Sequence, residues 1–191
     1  MKFWLELKDS AIEWCRGKNW LVRLPLLVFF IYALVRHLSE PLYSSVLGAL
    51  NLGIHELGHF VFGFLGEGLG VAGGTLLQLA IPVFGIFNFR RQNDFFAIAL
   101  CFGWLSTNFF NIAVYAADAR KLELPLVSPF GGGDGGVYHD WEYLLSRMNI
   151  LEYDMFIAAI FRMLGIVSML ICLSAGAWFL WQMFKSRRNV L

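Results

Sequence analysis

The run His55-Glu56-Leu57-Gly58-His59 is where residue types and spacing most directly imply chemistry. On a helix, positions i and i+4 stack on one face, so both imidazoles reach a single divalent ion. Glu56, about 100° round the helix, reaches the water that such an ion activates and can serve as general base. With four histidines and eight glutamates among 191 residues, one such pattern arises by chance in roughly 0.3% of sequences of this composition, positions treated as independent. The competing structural reading makes His55, Glu56 and His59 a polar cluster that holds helices together, since ionisable groups inside a membrane face a protein interior.

A catalytic zinc site has three protein ligands and an open position, so one ligand must come from elsewhere in the chain. The connection 118–154 is the best source. Gly131, Gly132, Gly133, Gly135 and Gly136 permit close backbone approach, and Asp134, His139 and Asp140 lie among or just after them. His139 is the first choice, because imidazole suits zinc and the remaining histidine, His37, adjoins Arg36 at an apolar segment's end and reads as interfacial. Asp140 is the runner-up. It alternatively orients His139, or caps a helix beginning at Trp141. Asp134 follows as a ligand or as a plain turn residue in the glycine loop.

These residues need elements to position them, and composition says what kind. The chain is 58% hydrophobic and 15% charged, against roughly 45–50% and about 25% in soluble domains. A core of this length cannot hide that much apolar surface from water. The expectation is an all-α, multi-pass integral membrane protein with lipid around it. A net charge of +1 offers no basic field for nucleic acid, so none is expected as a partner. Cys15, Cys101 and Cys172 form no CxxC pair and read as reduced packing residues.

Residues 1–19 place Phe3, Trp4, Leu7, Ala11, Ile12, Trp14 and Cys15 at helical spacing between charges, which predicts an interfacial amphipathic helix. Residues 20–191 read as one membrane-embedded domain with its ligand loop at 118–154. A span needs about 20 mainly apolar residues. Segments 20–38, 41–66, 95–117 and 155–184 meet that, with the histidine pair in the second. The segment 69–89 lies third in order and is either a further span or a re-entrant element, given its Gly-rich start, Gln78 and Pro82.

Positive charge separates the options. If the third segment does not cross, ten Lys and Arg share one side against Arg36, Arg120, Lys121 and Arg147; if it crosses, the split is eight against six. Geometry opposes that bias. His59 lies roughly 10 Å from the Gly66 end at 1.5 Å per residue, so a ligand from 118–154 must emerge on that side, which requires the third segment to cross. The prediction is therefore about five crossings. Other polar and small residues have two readings: Asn108, Asn111 and Gln78 bind substrate or join helices, while Gly48, Gly53, Gly58, Gly63 and Gly66 permit close packing. Trp178 and Trp181 read as interfacial anchors.

HELGH inside a long apolar helix, followed by a Gly-rich stretch and another apolar segment, resembles the site-2-type intramembrane zinc metalloproteases. The resemblance implies Zn2+ held by His55, His59 and an aspartate of a DG motif, for which Asp134-Gly135-Gly136 is the matching stretch. It also implies Glu56 as the residue that activates water, and a membrane-associated protein or peptide as substrate. Two other classes compete. A zinc or other divalent-metal transporter would want a second ligand-rich helix, where 95–117 offers only Asn108 and Asn111. A non-catalytic membrane subunit would hold a structural metal or polar cluster.

Overall fold

A computed structural model describes residues 2–40, 42–125 and 139–188. Seven α-helices follow in order: α1 (Lys2–Cys15), α2 (Trp20–Ser39), α3 (Gly48–Gly63), α4 (Glu67–Arg91), α5 (Phe95–Ala117), α6 (Asp140–Arg147) and α7 (Asp154–Arg188). A short 3-10 turn, Leu151–Tyr153, leads into α7, and no strand occurs among the described residues. Side-chain caps that satisfy otherwise unpaired first-turn donors set the starts of α2 and α5, among others. Asn19 Oδ1 accepts from the Leu21 N–H at 3.0 Å, and Asp94 Oδ1 accepts from the Ala97 N–H at 3.1 Å.

The centre of the bundle is α5. Among the described residues none of its large apolar side chains is exposed, whereas α2, α3, α4 and α7 each expose several. It packs chiefly on α7 and also on α4; α2 lies along α7, and α3 lies along α4. Gly103 of α5 sits against the Phe30 ring, and Gly176 of α7 against Leu27, so small residues let α2 come close.

Four stretches are long and apolar enough to cross a membrane: α2, α4, α5 and Leu151–Ser186, which contains α7. Their outward side chains, such as Val22, Val35, Phe84, Phe87, Phe156 and Met163, are exposed and apolar, as a lipid-facing surface requires. This supports the membrane reading of the composition. The segment 69–89 is part of one continuous 25-residue helix. By contrast, the segment 41–66, expected as a span, yields only the 16-residue α3, about 24 Å long at 1.5 Å per residue. It is not among the four.

Contacts order the two ends of the bundle. At one end Trp14 of α1 meets the Phe95 and Phe179 rings, and Trp20 meets Phe184. Ala11 and Cys15 are buried there, which gives α1 an apolar face on the helix ends as well as a charged one. At the other end Arg162 donates to the His37 carbonyl at 3.1 Å, His37 stacks on Phe110, and Arg147 of α6 lies 3.6 Å from Glu67. The start of α4 and the finish of α2 and α5 therefore share the α6 end. Since 40–66 joins α2 to α4, both its ends emerge at that same end.

Candidate metal centre

The site begins with a tight helical hairpin. Gly66, at φ +105°, adopts a backbone conformation open to glycine and turns the chain from α3 into α4. A Cβ on Gly58 would collide with the Gly73 carbonyl, and one on Gly73 would lie 2.5 Å from the Gly58 carbonyl. The two backbones therefore touch, as small residues at helix interfaces allow.

That contact sets α4 beside the histidines. His55 Nδ1 donates to Gln78 Oε1 at 3.1 Å, and His59 Nδ1 donates to the Gly70 carbonyl at 2.8 Å. Both partners are oxygen acceptors, so in a neutral ring the proton sits on Nδ1 and the lone pair on Nε2. Both Nε2 atoms face Asp140 Oδ2, at 2.8 and 3.2 Å. Three electron-rich atoms thus converge, an arrangement that a cation relieves. Bonds of 2.0–2.1 Å at tetrahedral angles place donor atoms about 3.3 Å apart, close to the spacing found. The ligand atoms of the His55, His59 and Asp140 group all lie within 4.8 Å of one another, so the group can hold a metal ion.

Asp140 is the first residue of α6 and is buried; its N–H donates to Tyr115 Oη at 3.1 Å, which ties α6 to the end of α5. Burial pushes its carboxyl up, but the hydrogen bonds and charges of His55 and His59 outweigh this and hold it below the usual carboxylate range.

His139, the first choice from sequence, is not brought to the pair. It caps α6, its Nδ1 accepting from the Glu142 N–H at 3.2 Å, while its ring lies against Tyr115 and its Nε2 stands 3.4 Å from Asp118 Oδ2. Burial holds its pKa below the ordinary imidazole value although Asp118 and Asp140 pull it up. Asp134 lies outside the described residues. The cap and the group-forming residue have thus exchanged the places considered for them.

Glu56 is half-buried next to His55, and among the described residues its carboxylate has no hydrogen-bond or ion-pair partner. It is left free to handle a proton. Gly74 supplies space: a Cβ there would lie 2.6 Å from His55 Nε2 and 2.7 Å from His59 Nε2.

Beneath the site, Asn51 joins α3 to α5. Its Oδ1 accepts from Trp104 Nε1 at 2.8 Å, and its Nδ2 donates to Asn111 Oδ1 at 2.8 Å. Asn108 donates to the Trp104 carbonyl of its own helix. Asn111 therefore serves helix joining. Gln78 joins α4 to α3, the second of the readings taken from sequence, and does so by orienting a histidine. Gly70, Gly74 and Gln78 were recoverable as a group, since positions four apart share one helix face. Tyr115 carried no comparable signal.

No protein-family model matches the chain, and neither curated proteins nor solved structures provide a match. Fold and site alone define the class: an all-helical protein with four candidate membrane spans and a His-His-Asp group suited to a metal ion.

Proposed function

We propose that the chain is a membrane-embedded zinc endopeptidase. The observation that carries this reading is the convergence of His55 Nε2, His59 Nε2 and Asp140 Oδ2 beside Glu56, which shares α3 with the histidines and has no hydrogen-bond or ion-pair partner among the described residues. Two imidazoles and one carboxylate are a donor set that suits zinc with one position left open. When bound, zinc polarises a scissile carbonyl and makes water more acidic. Gln78 and the Gly70 carbonyl hold the two rings in the ligating tautomer. Glu56 takes a proton from the attacking water and returns it to the leaving amine. Gly74 keeps the space beside the two nitrogens clear.

Four crossings fit this reading better than five, with α3 as a re-entrant helix. The site then lies inside protein, where non-spanning backbone at membrane depth is tolerated. The α1 end collects ten of the fifteen Lys and Arg, against Arg36, Arg120, Lys121, Arg147 and Arg162 at the α6 end. A fully crossing α4 also puts the 118–154 connection on the histidine side. The charge bias and the ligand geometry conflict only if 41–66 crosses.

The test compares purified wild type with Glu56→Gln for bound zinc and for cleavage of a panel of membrane peptides. The variant is expected to keep its zinc and lose about 10²–10⁴-fold in cleavage rate. Equal cleavage by both proteins would overturn the assignment, as would zinc movement across vesicles by both with no cleavage by either.

A further inference from the structure

We infer that the metal centre opens on the non-cytoplasmic face of the membrane alone, so that its substrate is a peptide segment presented from that side at the bilayer boundary. The substrate part rests on the endopeptidase reading; the orientation does not.

The depth of the site is set by its neighbours. Tyr115, which binds the Asp140 N–H, lies two residues before the end of α5, and Gly74 lies seven residues into α4. At 1.5 Å per residue Gly74 is about 10 Å from the α6 end and about 26 Å from the α1 end. Asp140 itself arrives from outside the bundle on α6. Toward the α1 end the way is filled. Asn51 is 1% exposed with its amide committed to Trp104 and Asn111, and Thr107 of α5, against which it lies, is buried at the same level. Water and substrate therefore reach Glu56 from the α6 end.

Charge then orients that end. Lys and Arg within short connections mark the cytoplasmic side. The α1 end carries the excess; cations lie over aromatic rings at both ends, Lys18 4.5 Å from the Trp14 centroid at one and Arg36 4.7 Å from that of Tyr43 at the other, so the count of positive residues is what orients the chain. The α6 end holds five, Arg36, Arg120, Lys121, Arg147 and Arg162, against ten at the α1 end. The α1 end belongs in the cytoplasm, and the site lies near the opposite surface.

Single cysteines provide the test, with the three native cysteines left in place because all are buried. In bacterial spheroplasts a membrane-impermeant maleimide is expected to label Glu123→Cys, in the exposed turn after α5, and to label Asp9→Cys, on the exposed face of α1, only after permeabilisation. The reverse pattern, labelling of both before permeabilisation, or of neither, overturns the orientation. In zinc-loaded sealed vesicles EDTA, which does not cross the bilayer, is expected to strip zinc from the right-side-out population and spare the inverted one; equal loss from both overturns one-sided opening. Labelling depends neither on zinc nor on cleavage, so failure of the endopeptidase reading leaves that result unchanged, and reversed labelling leaves that reading standing.

Discussion

The first turn of α6 decides which side chain reaches the histidine pair. A cap residue has extended backbone and folds its side chain over the first turn to meet a free N–H; the residue after it begins the helix and points elsewhere. His139 occupies the first position, with φ −82° and ψ 106°, and Asp140 the second. The expected consequence is a clean division between two adjacent alanine variants. Asp140→Ala should lose bound zinc. His139→Ala should keep it and lose about 0.5–2 kcal/mol of stability, as cap removal does. Zinc content and thermal melting of the two proteins check this, and equal zinc loss from both would show that the cap is itself needed for the site. The histidine pair was legible in the sequence because its geometry is local to one helix. The group's third member, Asp140, was legible only as the runner-up, because ligand chemistry favoured imidazole while a one-residue backbone choice, 85 residues away from His55, decided which neighbour faced inward.

At the scale of elements, α3 and α4 act as one unit because their glycines bring backbone against backbone. The Gly-rich opening of the third segment left a re-entrant element open beside a further span. In the folded chain Gly70, Gly73 and Gly74 are the surface by which a 25-residue helix meets α3. Conversely, 41–66 has the length of a span but only its second part is helical, and the direction of its first part was invisible without knowing where α2 and α4 end. The hairpin makes a sharp prediction from two glycines on one helix. A Cβ at Gly58 meets the backbone of Gly73, which cannot rotate away, whereas at Gly53 nothing lies within 4 Å. Gly58→Ala should force the helices apart, move Gly70 and Gln78 from their histidines and reduce zinc binding at least tenfold. Gly53→Ala should bind zinc as wild type does. Zinc titration of both variants, with circular dichroism to confirm retained helix, checks the pair; equal affinities would mean that the close approach does not position the rings.

For the whole molecule, the site joins parts of the chain that lie far apart in sequence. His55 and His59 belong to the α3–α4 hairpin, whereas Asp140 begins a short helix held to α5 through Tyr115. The dominant packing is elsewhere, between α5 and α7, so the bundle does not need the metal in order to form. A bound ion would add a direct link between α3 and α6 to the contacts each already makes with α4 and α5. An ion that binds only the folded protein stabilises it by RT ln(1 + [L]/Kd), about 2.7 kcal/mol at a hundredfold excess over Kd. At about 2–4 °C per kcal/mol for a chain of this size, removal of zinc by a chelator should lower the melting temperature of the purified wild type by about 5–10 °C. Glu56→Gln, which keeps all three ligands, should show the same drop. Asp140→Ala should melt at the lower temperature from the start and not respond to chelator. A wild type whose melting is unmoved by chelator while its zinc is lost would show that the ion decorates the surface of the group and does not join α6 to the hairpin.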